Sequence, residues 1–557
     1  MKRYVIGLDY GTDSARGLLV DAVDGCELAS AVAPYRRWGR GEYCDASKSQ
    51  FRQHPSDYAE ALDELLRSLR GQCPEAFAAV AAIAVDTTSS TPCLVDERMR
   101  PLALREEFAD DPDAMFVLWK DHTAECEAAR IDAACRESET CYSMFSGGHY
   151  SSEGYWSKVI HILNGNPRLA REACIAIEQC DYIPALLTGA DSISSMRLSH
   201  CAAGSKSMWS ERWGGYPPAE FFEPLSPAAA RMSERLPRDN YTSDNIFGTV
   251  SKDMASRYGL PADVRVAVGI IDAHAGAIGA GIRERRMALN LGTSACHMAV
   301  VDPQRLGDRV IEGVFGQVDG SIIPSMTGFE TGMSAFGDLY AWLRRVLMFA
   351  VDEIVCRSEA LDDTAKIQLA EECRERMLAR LGDEASKIRL DIDSPFATDW
   401  INGRRTPSPK DNMWCGIMGL RLGSGAADIY LALVEATAFA TKAIVDHLSA
   451  NGIEADEFVA IGGISRKSPL AMQMLSDVLG RRVDVAGCRE SCALGAVILA
   501  SVVGGFYDSV QKAQHVLCPP VERSYEPQMS MHGILMQRYA RYRAAGDFTE
   551  NTVNTYN

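Results

Sequence analysis

Residues 4–21 read YVIGLDYGTDSARGLLVD. The apolar run from Tyr4 to Leu8 predicts a strand, Asp9-Tyr10-Gly11-Thr12-Asp13 a tight turn, and Arg16 to Val20 a second strand returning antiparallel. Runs rich in Val, Ile and Leu on either side of Gly, Asp and Ser are the sequence signature of a hairpin. The tip offers carboxylates, hydroxyls and a glycine whose backbone comes close to a ligand without steric cost. Carboxylates beside free backbone N–H groups suit a hydrated Mg²⁺ and the phosphates it bridges.

The same device recurs. Residues 289–302, LNLGTSACHMAVVD, lie over LDYGTDSARGLLVD from Leu8 without a gap, so that Gly11-Thr12 falls on Gly292-Thr293 and Asp21 on Asp302. The first copy carries the acid Asp9 where the second carries Asn290. Self-similarity at this distance predicts two domains of one topology, each opening on a phosphate-handling hairpin. A nucleotide between them would meet one metal-facing and one purely phosphate-cradling turn.

Length and composition agree with that division. A chain of 557 residues exceeds what one hydrophobic core supports. With 47% hydrophobic and 24% charged residues it is an ordinary globular sequence. A net charge of −18 argues against a nucleic-acid partner, which requires a basic face. The 17 cysteines are scattered, contain no CxxC and build no zinc-ligand pattern. An odd count without a secretory leader predicts reduced thiols in the cytoplasm, and no apolar window is long enough for a membrane span. A homodimer fits the base rate for soluble enzymes, and nothing further in the sequence bears on it.

Further along, Pro55 to Leu69 has helical spacing, with Tyr58, Leu62, Leu65, Leu66 and Leu69 on one face. Val80 to Val85 predicts a buried strand running into Asp86-Thr87-Thr88-Ser89-Ser90-Thr91, either a ligand-facing loop at a strand's carboxyl end or a Ser/Thr turn. Trp119-Lys120-Asp121-His122 is read either as polyol-binding or as the start of a helix from Asp121 to Ala134. Gly204 to Trp209 is expected to be a loop, with Lys206 solvated or directed at a ligand. Val264 to Ile270 gives a strand, followed by Asp272 at the start of an Ala/Gly-rich helix. Its readings are helix capping and general base at a domain junction.

Glu330 lies in another Gly-flanked loop, Gly337 to Leu390 is expected to be a solvated helical insertion, and Asn402-Gly403-Arg404-Arg405 a turn. Tyr430 to Leu448 predicts an amphipathic helix. Gly462-Gly463 follows a strand and precedes a helix, letting the backbone pass flat against a ring or a phosphate. The tail after Phe548 is expected to fray.

Together, Asp9-Tyr10-Gly11-Thr12 with Arg16, Asp272-Ala273-His274, Gly292-Thr293-Ser294, Asn402-Gly403-Arg404 and Gly462-Gly463 resemble the FGGY carbohydrate kinases. So do LWKDHTA (118–124), YSSEGYWSK (150–158), CDYIPALLTG (180–189) and CAAGSKSMW (201–209). The resemblance covers nearly the whole chain. It implies an α/β, two-domain actin/Hsp70/hexokinase-like ATPase fold of duplicated ribonuclease H-like domains with an inter-domain cleft. The expected division is 1–268, binding sugar, and 269–545, binding nucleotide, with the insertion at about 337–390.

The resemblance also implies roles at matching positions. Asp272 would be the base that deprotonates a sugar hydroxyl. Lys206 and Glu330 would bind sugar hydroxyls, Trp119 would pack on the sugar, and the Ser89 loop would close the pocket. Asp9 would hold Mg²⁺ through water. Gly11, Thr12, Asp13, Arg16, Gly292 and Thr293 would surround the phosphates of ATP, with Gly462 and Gly463 near the adenosine. Related kinases carry Lys-Asn after the glycine pair, whereas here Ser468 follows Lys467, and a hydroxyl cannot reproduce an amide's paired hydrogen bonds. The implied activity is phosphoryl transfer to a ketose or polyol. A non-sugar ATPase of the actin/Hsp70 class would not need the sugar-binding motifs, and a sugar-sensing regulator would add a basic helix pair that this sequence does not contain.

Overall fold

A computed structural model describes residues 3–410 and 412–556. Contacts divide the chain into two interleaved units. The first comprises 1–284, 300–330 and 490–520, the second 285–299, 331–489 and 521–557. By these contacts Asp272 and Glu330 both fall in the first unit.

The first unit is built on a sheet in the order Ile246–Thr249, Arg265–Ala267, Val80–Thr87, Tyr4–Tyr10, Ser14–Asp21, Glu27–Pro34, with Ile270–Ile271 also paired to Val80–Thr87. The opening hairpin is longer than the sequence predicts. Pairing continues through Asp9↔Arg16 to Tyr10↔Ala15, so the turn shrinks to residues 11–13 and Asp9 becomes a strand residue. The predicted strand at 264–270 is two pieces, Arg265–Ala267 and Ile270–Ile271, both parallel to Val80–Thr87. Helix Pro55–Gln72 starts with proline at its first position, where no N–H is needed. It buries Tyr58, Leu62, Leu65, Leu66 and Leu69 under the sheet, the face its spacing predicts. Burial of each such side chain contributes about 1.5–3 kcal/mol.

Three backbones then meet at van der Waals contact. A Cβ added at Gly7 would lie 2.3 Å from the carbonyl oxygen of Ala493. One at Gly279 would lie 2.0 Å from that of Ser491, and one at Gly495 1.9 Å from that of Ala275. The strand Tyr4–Tyr10 and the helices Asp272–Gly279 and Ser491–Val503 are therefore packed at a spacing only glycine permits.

In the second unit, Arg286–Leu291 pairs antiparallel with Ala295–Val301 and parallel with Glu457–Ile461, beyond which lie Val483–Val485 and Arg523–Tyr525. The two hairpins do not superimpose residue for residue. Gly11 N–H donates to Ser14 across its turn, whereas Gly292 N–H donates to Ser294, so the second turn is one residue tighter than the ungapped overlay requires. Helices Gly337–Ala350 and Asp363–Ala385 confirm the helical character of the 337–390 segment. The C-terminal tail is not frayed: Met529–Tyr556 is one helix, with Val553 buried. It is tied down twice. Arg404 pairs with Glu550 at 2.7 Å, and buried Arg538 pairs with buried Glu435 while donating to the carbonyls of Asp391, Ser394 and Pro395. Among the described residues no helix is long and apolar enough to cross a membrane.

Gly495→Ala forces its methyl into a main-chain oxygen that has no rotamer to yield. The expected loss is about 1–3 kcal/mol or more, read as a lowered unfolding midpoint in chemical denaturation. An unchanged midpoint would show that the helices have room to part.

Candidate active site

The sheet register of the first unit assembles the acids. Asp9 and Asp86 occupy paired positions on adjacent parallel strands, and Ile270 pairs with Asp86 from the other side, two residues before Asp272. Residues paired across strands point to the same face. Oxygens of Asp9 and Asp86 and the Cys492 sulfur all lie within 4.8 Å of one another. Arg16 reaches Asp9 at 3.4 Å and Glu490 at 3.3 Å. Burial and the neighbouring Asp9 push Asp272 up to about 7. The same two causes, with Asp272 added, hold Asp86 well above the ordinary carboxylate range. Asp272 is the first residue of its helix rather than its cap, and its carboxylate accepts from the Ala273 N–H at 2.6 Å.

A second cluster has the opposite character. Lys206 ends helix His200–Lys206, not a loop, and its ammonium donates to both Glu330 oxygens at 2.9 and 3.1 Å. It is therefore not solvated. His274 Nε2 lies 3.2 Å from Glu330 and its Nδ1 2.9 Å from the sulfur of Cys201. Burial opposes charge on Glu330, but Lys206 and His274 outweigh it and hold the carboxyl far below its usual range. Burial opposes charge on His274 as well, yet Cys201 and Glu330 raise it to about 10. Glu330 is thus a fixed anion between two cations, one of which, His274, lies two residues along the chain from Asp272.

The remaining predicted residues fall as follows. Trp119 donates its indole N–H to the Thr12 hydroxyl at 3.1 Å, joining the expected sugar platform to the expected phosphate turn. Gln53 holds the Thr12 carbonyl at 2.7 Å, and the Trp38 indole donates to Asp13 at 2.7 Å. Among the described residues the buried hydroxyls of Ser89 and of Ser205, next to Lys206 in sequence, have no hydrogen-bond partner. Asp121 answers neither of its readings. Its helix begins at Glu125, and its carboxylate pairs with buried Arg52 while accepting from the Phe51 and Thr123 N–H groups.

In the second unit Gly462 has φ 89° and packs so closely on the hairpin that a Cβ would lie 2.5 Å from the Leu291 carbonyl. Gly463, by contrast, faces open space, and Gly292 meets only Ser294 at an ordinary 3.6 Å. Internal packing requires glycine at Gly462 alone; Gly292 and Gly463 leave room for a ligand. The Thr293 carbonyl accepts from Phe336 and Asp338 at 2.9 and 3.0 Å, which fixes the turn to the start of helix Gly337–Ala350. Ser468 caps helix Pro469–Leu479 through the Ala471 N–H, so its hydroxyl is committed to the fold. A cavity of about 190 Å³ in this unit is lined by Asp399, Trp400, Arg404, Arg405 and Tyr542 and contains none of the predicted ligand residues.

Lys158 escaped the sequence reading. Fully buried on helix Tyr155–Gly165, it donates to the carbonyls of Ser90 at 2.6 Å and Leu118 at 2.9 Å, each one residue from a predicted sugar contact, Ser89 or Trp119. Burial pulls it down to about 7. Glu178 grips the same loop through the Thr91 N–H at 2.7 Å and the Ser90 hydroxyl at 3.3 Å. The available signal was a lysine on an otherwise apolar helix face with Tyr155, Val159 and Ile162.

As to cofactors, Asp9 and Asp86 are hard oxygen donors, and among the described residues the buried Asp86 oxygens have no hydrogen-bond partner other than the Asp9 carboxylate, which fits a divalent cation such as Mg²⁺.

Residues 287–503 match the model for the FGGY family of carbohydrate kinases, C-terminal domain. The chain is 41% identical over 551 residues to a protein named ribulokinase from Vibrio parahaemolyticus, covering 99% of this chain and 96% of that one. It is 32% identical to another so named from Halalkalibacterium halodurans, covering 98% and 95%. Among solved structures, a xylulose kinase from Rhodospirillum rubrum superposes with a TM-score of 0.78 at 20% identity, covering 99% and 100%. A Plasmodium falciparum glycerol kinase with ADP gives 0.76 at 16%, covering 98% of each chain. These likenesses show the fold, the two-domain ATPase architecture. With the sequence relatives they define an ATP-dependent sugar phosphotransferase. The chain belongs to the FGGY family of carbohydrate kinases.

Lys158→Met leaves two loop carbonyls unsatisfied, at about 1–3 kcal/mol. The expected result is a rise in KM for the sugar of about ten-fold or more, with KM for ATP unchanged and a smaller effect on kcat. Equal effects on both KM values would make Lys158 a general stability residue instead.

Proposed function

We propose that the chain transfers the γ-phosphoryl group of ATP to L-ribulose, giving ADP and L-ribulose 5-phosphate. The observation that carries this reading is Asp272, a carboxylate pushed up to about 7, set beside the Lys206–Glu330 pair in a chain 41% identical to a protein named ribulokinase. A base with a pKa near the working pH balances being ionised against being basic enough to take a proton.

Asp272 accepts the proton of the terminal sugar hydroxyl as its oxygen bonds to the γ-phosphorus and the bond to the β,γ-bridging oxygen breaks, releasing ADP. Lys206 and Glu330 orient sugar hydroxyls, donating and accepting respectively. Trp119 covers an apolar face of the sugar and Ser89 offers its unpartnered hydroxyl. Gly11, Thr12, Asp13, Arg16, Gly292 and Thr293 receive the phosphates, and Gly462 and Gly463 the adenosine side. Mg²⁺, held through Asp9, neutralises phosphate charge when bound. The enzyme works as a cytoplasmic protein and a homodimer.

A coupled ADP-release assay with Mg-ATP tests this against L-ribulose, D-ribulose, D-xylulose, L-xylulose, ribitol and glycerol. L-ribulose is expected to give the highest kcat/KM. A different winner keeps Asp272 but reassigns the sugar contacts, and release stimulated by no sugar overturns the reading. Asp272→Asn is expected to lower kcat by orders of magnitude while the unfolding midpoint stays put. Near-normal turnover in that variant would remove Asp272 from the chemistry.

A further inference from the structure

The acid cluster of the first unit holds a carboxylate that the reading above does not use. Asp86 is 0% exposed, and neither of its oxygens meets a hydrogen-bond donor among the described residues. The group facing it is the Asp9 carboxylate, itself an acceptor, which is 4% exposed and paired to it in sheet register. The charged side chains around the pair are Arg16, at 3.4 Å from Asp9 and shared with Glu490, and Asp272. The third donor of the cluster, Cys492, sits at the start of helix Ser491–Val503.

A buried anion without partners costs several kcal/mol, so such groups are paired or bind metals. Arg16 offers one positive charge to Asp9, Glu490 and, beyond them, Asp86 and Asp272. A proton shared between Asp9 and Asp86 would satisfy one oxygen of Asp86 and leave the other without a donor. A divalent cation meets both oxygens and neutralises the pair. The parallel backbone pairing of their two strands holds Asp9 and Asp86 opposite one another despite the repulsion.

We propose that Asp86 is a second carboxylate ligand of the divalent cation, so that Asp9 and Asp86 hold the ion on the first unit before nucleotide binds. The proposal rests on the kinase reading for the identity of the ion, Mg²⁺, but not for the existence of the site. Mg²⁺ takes one or two carboxylates and fills its remaining positions with water and phosphate, and two carboxylates side by side on paired strands give it a foothold in the protein.

The full-length protein, free of nucleotide, is titrated with Mn²⁺ as the probe, and free Mn²⁺ is followed by its paramagnetic resonance signal. The wild type is expected to bind one ion. Asp86→Asn and Asp9→Asn should each weaken that binding at least ten-fold, and Mg²⁺ should compete. Equal Mn²⁺ affinity in wild type and Asp86→Asn overturns the proposal. So does wild-type protein that binds no Mn²⁺ until ATP is added, which would leave a shared proton as the role of the pair. The wild-type measurement decides even if a variant folds poorly. Mn²⁺ bound as described in a protein that no sugar stimulates would keep the metal site and discard the kinase reading.

Discussion

The first unit depends on a backbone-to-backbone contact. Where Gly7, Gly279 and Gly495 each face a neighbouring carbonyl, the first strand and two helices lock at a distance that no side chain can adjust. Asp9 stands two residues beyond Gly7 on the same strand, Asp272 opens the second element, and Cys492 lies near the start of the third. Packed cores resist deformation. Contacts made by main chain, with no rotamer to relax, resist it more. The positions of the acids are therefore set by the fold itself and not by the packing of adaptable side chains around them.

On that rigid frame the protein places carboxylates in two electrical environments. Glu330 lies between Lys206 and His274 and stays ionised, which suits a group that accepts hydrogen bonds from a sugar. Asp272 lies among Asp9 and other acids and holds its proton to about pH 7, which suits a group that takes one up and gives it back. Placing like residues in unlike surroundings is how one fold divides binding from proton transfer. The division here runs between residues contributed by distant parts of the sequence.

Much of this was legible in the chain. The hairpin at residues 4–21, its echo at residues 289–302 and the helix at 55–69 each carry a local pattern that the structure keeps. What was not legible depended on partners far away in sequence. The solvation of Lys206 is decided by Glu330, 124 residues later, and the fate of Asp121 by Arg52, 69 residues earlier. Asp86 belongs in sequence to a polar run because strand ends cannot be seen in composition; its pairing with Asp9 comes from sheet register. The one-residue difference between the hairpin turns and the ordered last helix failed for the same reason. Turn length follows from pairing, and Glu550 is held by Arg404 in a turn no local rule connects to it.

The interleaving of the units bears on how the protein is made. The first unit lacks its helix at Ser491–Val503 until that segment is synthesised, and the second lacks its terminal helix until the last residues are. Neither can close its core while the ribosome is still reading the middle of the message. Domains that fold in succession during translation shelter their hydrophobic surfaces early. Here the strands of the first sheet are all made by residue 271, but the helix Ser491–Val503 that packs on its first strand is made only after most of the second unit.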